Sequence, residues 1–200
     1  MALLHRATLQ PSKLELLMAY TNGGATELLG AYRFEDPAGE VGIETHLVRH
    51  SSGGVMHVPL TYRNELLAGA DEWMVGVMEH SVLGTRYVYN ACTDPVYATQ
   101  LVGTILTGGT QVEQYFETTS GREFREPTAV VVGSGVPGTP IPEIAGVDAE
   151  TFDADTIIDA GGVQVVVRHG LDTPQPESPS ATLSGTWAGS DSPVVLAYLP

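Results

Sequence analysis

One cysteine, Cys92, and one lysine, Lys13, occur in the 200 residues. A single thiol excludes an intramolecular disulfide framework and a thiolate zinc cluster, and it suits a reducing compartment. Basic residues are scarce altogether: 9 Lys and Arg stand against 24 Asp and Glu, a formal net charge of −15. Nucleic-acid binding requires clustered cations on one face, and no such cluster occurs in the sequence, so no nucleic-acid partner is expected. No apolar run reaches the roughly 18 residues needed to span a bilayer. The N-terminal "MALLHRATLQ" has neither a long apolar core nor a small-residue cleavage site, so it does not read as a secretory signal. These absences together predict a soluble, cytoplasmic protein with no membrane partner, whose scattered acidity serves solubility. What remains is 42% hydrophobic, which is ordinary for a globular chain long enough for one good core or two small ones.

The first half reads as alternating strands framed by two helices. In "PSKLELLMAY" the apolar residues Leu14, Leu17 and Met18 recur at helical spacing behind Pro11 and Ser12, and Asn22, Gly23 and Gly24 end the run. "TELLGAYRF" and "GEVGIETHLVRH" read as strands separated by the turn "EDPAG", and "SSGG" at 51–54 as a hairpin loop leading into the strand "VMHVPLTYR". "WMVGVMEHSV" and "TRYVYNA" form a second hairpin, with Gly84 at its turn. The clearest helix follows. Asp94 is placed to cap it, Pro95 suits its first position, and Gly108 with Gly109 suit its end. Tyr97, Leu101 and Ile105 make its apolar stripe. Residues 78–107 are thus expected to be scaffold, a β-hairpin clamped beneath a helix.

Beyond about residue 118 the chain turns into β-branched runs broken by Gly and Pro: "TAVVVGSG", "ADTIID", "GVQVVVRHG", "SATLSGTWAG" and "PVVLAYL". The expected fold class is α+β: a curved antiparallel sheet with packed helices over residues 1–118, then a β-rich C-terminal half over 119–200. The two halves either form separate units or share one core.

Several stretches resemble functional motifs. "GSGVPG" at 133–138 fits the G-x-G-x-x-G spacing after a β-branched run, but a dinucleotide site needs a helix N-terminus directly behind it. Pro137, Pro140 and Pro142 stand where that helix would begin, so the stretch reads as a loop. "RHGLD" at 168–172 resembles a kinase catalytic loop, yet its Asp is one place late and no Asn follows. The sole lysine lies in the first helix, so phosphoryl transfer by this chain alone is not expected.

Two constellations remain. His46, His50 and His57 flank the first hairpin loop. If His50 pairs with Val55, His57 falls opposite Val48, diagonal to both other histidines, and the three form a zinc- or nickel-type cluster. If His50 pairs with His57, His46 lies about 13 Å from His50 at strand rise and the cluster dissolves. In "MEHSVLGTRYVYN", Glu79, His80 and Ser81 are consecutive, but neighbours on a strand point to opposite faces and cannot form a hydrolytic triad. A ligand site would instead combine Glu79 and His80 with Tyr87 and Tyr89, for a sugar or other small molecule, or for weak hydrolysis. No catalytic residue and no cofactor is assigned.

The same residues carry a resemblance. "PSKLELL", then "DPAGEVGIE" at 36–44, "VPLTYRNELLAGAD" at 58–71 and "MEHSVLGTRYVYNACTDPVY" at 78–97, followed by an amphipathic helix, form an ordered set over roughly residues 1–110. The set is similar to the maltokinase N-terminal cap domain and to stand-alone bacterial proteins related to it. The resemblance implies an α+β cap built on a curved antiparallel sheet. In maltokinases that cap sits on the nucleotide-binding lobe of an enzyme acting on maltose in trehalose and glycogen metabolism, and it supplies no catalytic residue. The chain departs from the pattern where it reads "AYTNGG" after the first helix, in place of a tryptophan and proline segment. "GVQVVVRHG" carries no lysine where a lysine-bearing strand would stand, and no kinase C-lobe follows in these residues. The function implied is that of an accessory protein whose partner is a sugar kinase or another α-glucan enzyme; the oligomeric state is left open.

Overall fold

Local signals at the ends of the two helices act as read. In the computed structural model, which describes residues 1–200, the chain begins with β1 (Ala2–Leu4), β2 (Leu9–Gln10) and α1 (Lys13–Tyr20). The Ser12 hydroxyl accepts from the Glu15 amide while the Glu15 carboxylate accepts from the Ser12 amide. This reciprocal cap satisfies two orphan donors at the start of α1. Five long strands follow: β3 (Ala25–Phe34), β4 (Gly42–His50), β5 (Val55–Arg63), β6 (Met74–His80) and β7 (Gly84–Asn90). Asp94 caps α2 (Pro95–Thr107) through the Val96 amide, and Gly108 ends it in the left-handed conformation, with φ 68°. Thereafter come β8 (Gln114–Thr118), β9 (Gly121–Arg125), β10 (Ala129–Gly133), β11 (Asp148–Phe152), β12 (Asp155–Asp159), β13 (Gln164–Arg168), β14 (Ala181–Trp187) and β15 (Val194–Leu199).

The strands form three sheets. The first is antiparallel, in the order β2-β6-β7-β5-β4-β3; the second has the order β10-β14-β15-β13-β12-β11, and the third β1-β8-β9. Register shifts in β3 and β6 bend and twist the first sheet, as bulges do. With only two α-helices, the architecture is β-rich, and the α+β expectation describes it only loosely. The curled antiparallel sheet of the first half is present as expected.

Side-chain alternation along β4 assigns each face of the first sheet to a different core. Ile43 and Leu47 point to one face and enter a 22-residue cluster with Tyr97, Leu101 and Ile105 of α2. Val131, Ile158, Val167 and Leu196 of the second sheet belong to the same cluster. Val48 points to the other face and joins Leu16 and Leu17 of α1, Val58, Leu60, Met78 and Val88 in a cluster of eight. Because α1 covers only part of that second face, room is left there for a cavity. The expectation of a hairpin clamped beneath α2 is corrected: α2 packs chiefly against β3, β10 and β14, and α1 is the helix that touches β6.

Two stretches that resemble functional motifs join the halves. In "GSGVPG" the Gly135 and Val136 amides donate to the Ile105 and Leu106 carbonyls, 2.9 Å each, closing the last turn of α2. A Cβ at Gly135 would collide with those carbonyls, so glycine permits the approach. In "RHGLD" the Leu171 amide donates to the Val55 carbonyl and the Asp172 carboxylate accepts from the Val55 amide. The buried Arg168 guanidinium donates to the carbonyls of Val195, Thr173 and Pro174. This motif is a strap between the two large sheets.

Candidate functional site

The second face of the first sheet carries a buried ionic cluster. Register places Arg33 opposite Glu44, Glu44 opposite Leu60 and His46 opposite Val58, so Arg33, Glu44 and His46 share that face. The reciprocal cap of α1 brings Lys13, the first helical residue, over the same spot. Lys13 Nζ lies 2.7 and 2.6 Å from the two Glu44 carboxylate oxygens, and an Arg33 guanidinium nitrogen 2.9 Å from Oε2. His46 Nε2 is 3.1 Å from the Tyr62 hydroxyl and 3.8 Å from Glu44 Oε2.

Burial and charge set the protonation states. Burial alone would raise the Glu44 carboxyl, but the cations around it, Arg33 foremost, hold it well below the usual carboxylate range. Burial lowers His46 to about 4 against the opposing pull of Glu44, so it is neutral at pH 7. Burial, then the Glu44 charge, pushes the Tyr62 phenol up. Lys13 is lowered by burial and by the like charges of Arg33 and Arg125, against the pull of Glu44.

A cavity of about 470 Å³ opens beside this cluster, between the first sheet, the N-terminal segment and the third sheet. Its apolar wall includes Leu9, Met78 and Phe116, and Arg86 and Arg125 line it with the ionic cluster. A second cavity of about 210 Å³ also meets Lys13, Glu44 and Arg125.

Of the four residues singled out around the second hairpin, only His80 reaches the larger cavity. Its Nδ1 accepts from the Val82 and Leu83 amides, and its ring meets His5 edge-on at 5.8 Å. Burial and the neighbouring His5 lower its pKa. Glu79 pairs with Thr85, and Val77 with Tyr87, on the opposite face. The Glu79 carboxylate accepts from the Thr85 hydroxyl, and the Tyr89 hydroxyl accepts from the Leu67 amide. Glu79, Tyr87 and Tyr89 therefore diverge from His80.

The histidines of the first hairpin are separated by a one-residue difference in register. Arg49, not His50, pairs with Val55, which sets His57 opposite Leu47 and His46 opposite Val58. His46 and His57 thus occupy opposite faces, and no group of three or more His, Cys, Asp or Glu is arranged to hold a metal ion. His50 sits at the loop, its Nδ1 2.6 Å from the Ser52 hydroxyl. His57 is sealed between the sheets. Its Nδ1–H donates to the Arg168 carbonyl at 2.8 Å, and Nε2 accepts from the Tyr32 hydroxyl at 2.8 Å. Burial, the adjacent His169 and the nearby Arg168 charge lower it to about 3.

The cluster of Lys13, Arg33 and Glu44 was not anticipated from the sequence. Two signals pointed toward it: the only lysine of the chain opens a helix, and a glutamate occupies an inward position of a strand whose next same-face apolar neighbour is Val48.

Residues 20–94 match the family model of the maltokinase N-terminal cap domain. The matched span runs from the last residue of α1 through β7 to the cap of α2, and it holds Arg33, Glu44, His46 and Tyr62. Lys13 and Arg125 lie outside it. Comparison with curated proteins gave no match. No helix is long and apolar enough to cross a membrane.

Proposed function

We propose that the chain is a non-catalytic accessory module of the maltokinase-cap kind, which docks on a sugar kinase or another enzyme of α-glucan or trehalose metabolism. The observation that carries this reading is the family match over residues 20–94, which coincides with the five long strands of the first sheet. The reading is supported by how the chemistry-bearing side chains are used. Glu44 is clamped by Lys13 and Arg33, Asp94 pairs with Arg63 while capping α2, and His57 and His169 join the sheets. Each does structural work, and no base and nucleophile are brought together among them.

The test is functional reconstitution. A maltose-phosphorylating kinase deprived of its own cap is assayed for ATP turnover and melting temperature, with and without the purified chain. The reading expects the chain to raise the melting temperature or to change turnover. If neither moves at saturating chain, while the kinase's own cap supplied in trans does restore them, the reading is wrong.

A further inference from the structure

The charges around Glu44 do not balance. Of nine Lys and Arg residues in the chain, Lys13, Arg33, Arg86 and Arg125 line the larger cavity, leaving five basic residues among twenty acidic ones elsewhere. The lining also holds four acids, so its side-chain charges balance overall and the excess of cations is local to Glu44; Glu40 makes no side-chain bond, and the other three acids are engaged. Glu44 is bound by Lys13 and Arg33, and Asp36 accepts the amides of Ala38, Glu40 and Val41 within its own turn. Glu35 pairs with the N-terminal amine.

The cations are not matched in the same way. The Arg125 side chain makes no hydrogen bond or ion pair, and its charge is felt by Lys13. Arg86 spends one nitrogen on the Leu83 carbonyl. Arg33 has a buried Nε with no acceptor. Lys13 and Arg33, both largely shielded from water, therefore share a single carboxylate, and the exposed Arg125 side chain borders the same two cavities without an acid partner. Such a surplus is stabilised by an added anion, for the same reason that Glu44 is held ionised. Lys13, Glu44 and Arg125 line both cavities, so the seat borders each of them.

We propose that this cavity binds a small molecule carrying one anionic group, a phosphate or a carboxylate, seated between Arg125, Lys13 and Arg33. The body of the ligand lies along the apolar wall formed by Phe116, Leu9 and Met78. Arg125 is the residue that recognises the anion, because it alone of the three has no partner to give up. The site is assembled from residues inside and outside the cap-like span, and it stands independently of any docking on a kinase.

The experiment is a thermal-shift and calorimetric titration of the full chain in low-salt buffer with inorganic phosphate, glucose 6-phosphate and octanoate, with glucose as the neutral control. At least one anionic probe is expected to raise the melting temperature with concentration, as a ligand of the native state must, and glucose to leave it unchanged. The phosphate arm separates a bare anion site from one that needs a ligand body, and the octanoate arm separates carboxylate from phosphate. Arg125→Gln should weaken binding about tenfold, the loss of one charge-assisted hydrogen bond, while melting no lower than the parent because it removes a repulsion. Arg122→Gln, on the same strand with its guanidinium over the Tyr115 ring, should bind as the parent does. The proposal is overturned if no anionic probe shifts the melting temperature, if Arg125→Gln binds undiminished, or if the two arginine variants weaken binding equally.

Discussion

Replacing Glu44 by Gln keeps the volume of the side chain and removes its charge. Glu44 is 4% exposed. In the parent, its carboxylate accepts two bonds from Lys13 and one from Arg33. After the substitution two partly buried cations face a neutral amide, whose nitrogen must turn toward one of them. Breaking a buried ion pair from one side costs about 3–5 kcal/mol, because the remaining charge stays desolvated. Against a total stability of about 5–15 kcal/mol for a domain, that is a large fraction. Urea denaturation at pH 7, with a slope of about 2 kcal/mol/M, should show a midpoint lowered by roughly 2 M at unchanged slope. Lys13→Met should cost less, because Glu44 keeps Arg33. The double variant should fall short of the sum of the two by about 1 kcal/mol or more, the signature of contact. A Glu44→Gln cost below about 1 kcal/mol, or strict additivity, would refute the description of this cluster as a buried, mutually dependent unit.

Acid should unfold the chain early. His46 and His57 stay neutral in the fold down to about 4 and about 3, against 6.5 when unfolded, so below pH 6.5 the unfolded state binds more protons and stability falls as pH falls. Integrated from pH 7 to 4.5, the two histidines remove roughly 5 kcal/mol, readable as a falling urea midpoint; a flat profile across that window would contradict their burial. His57→Gln should lessen that slope even if it lowers stability at pH 7. Gly135→Ala should destabilise by about 1–3 kcal/mol by driving a Cβ into the Ile105 and Leu106 carbonyls, with loss of hydrogen-exchange protection at the end of α2. Asp94→Ala should cost about 2 kcal/mol or more, since it removes both the cap on Val96 and the 2.7 and 2.8 Å bonds from Arg63; a melting temperature unchanged within error would contradict this.

Where local chemistry decides, the sequence was readable. Ser12 and Pro11 marked the start of α1, and Asp94, Pro95 and Gly108 bounded α2, because capping depends on residues a few places apart. The long strands β3 to β7 were visible from their alternation and their turns. Register was not visible. A single-residue offset between β4 and β5 moves His57 to the other face, and composition of the hairpin does not distinguish Arg49 from His50 as the partner of Val55. The third sheet was missed for a related reason: β1 joins β8 across more than a hundred residues, and three residues carry no periodicity. The site was least legible, since Lys13, Arg33, Glu44 and Arg125 are remote in sequence and only the fold collects them. Glu79, His80, Tyr87 and Tyr89 are close in sequence and are split by the alternation of the strands.

Docking requires that the chain engage a kinase of the maltose-phosphorylating type. Sedimentation velocity on an equimolar mixture of the chain and a cap-deprived kinase, monitored at both components, is predicted to show one co-migrating boundary at the mass of a one-to-one complex. Two boundaries at the masses of the separate proteins, at concentrations where the kinase's own cap co-migrates with it, would rule out docking on such a kinase.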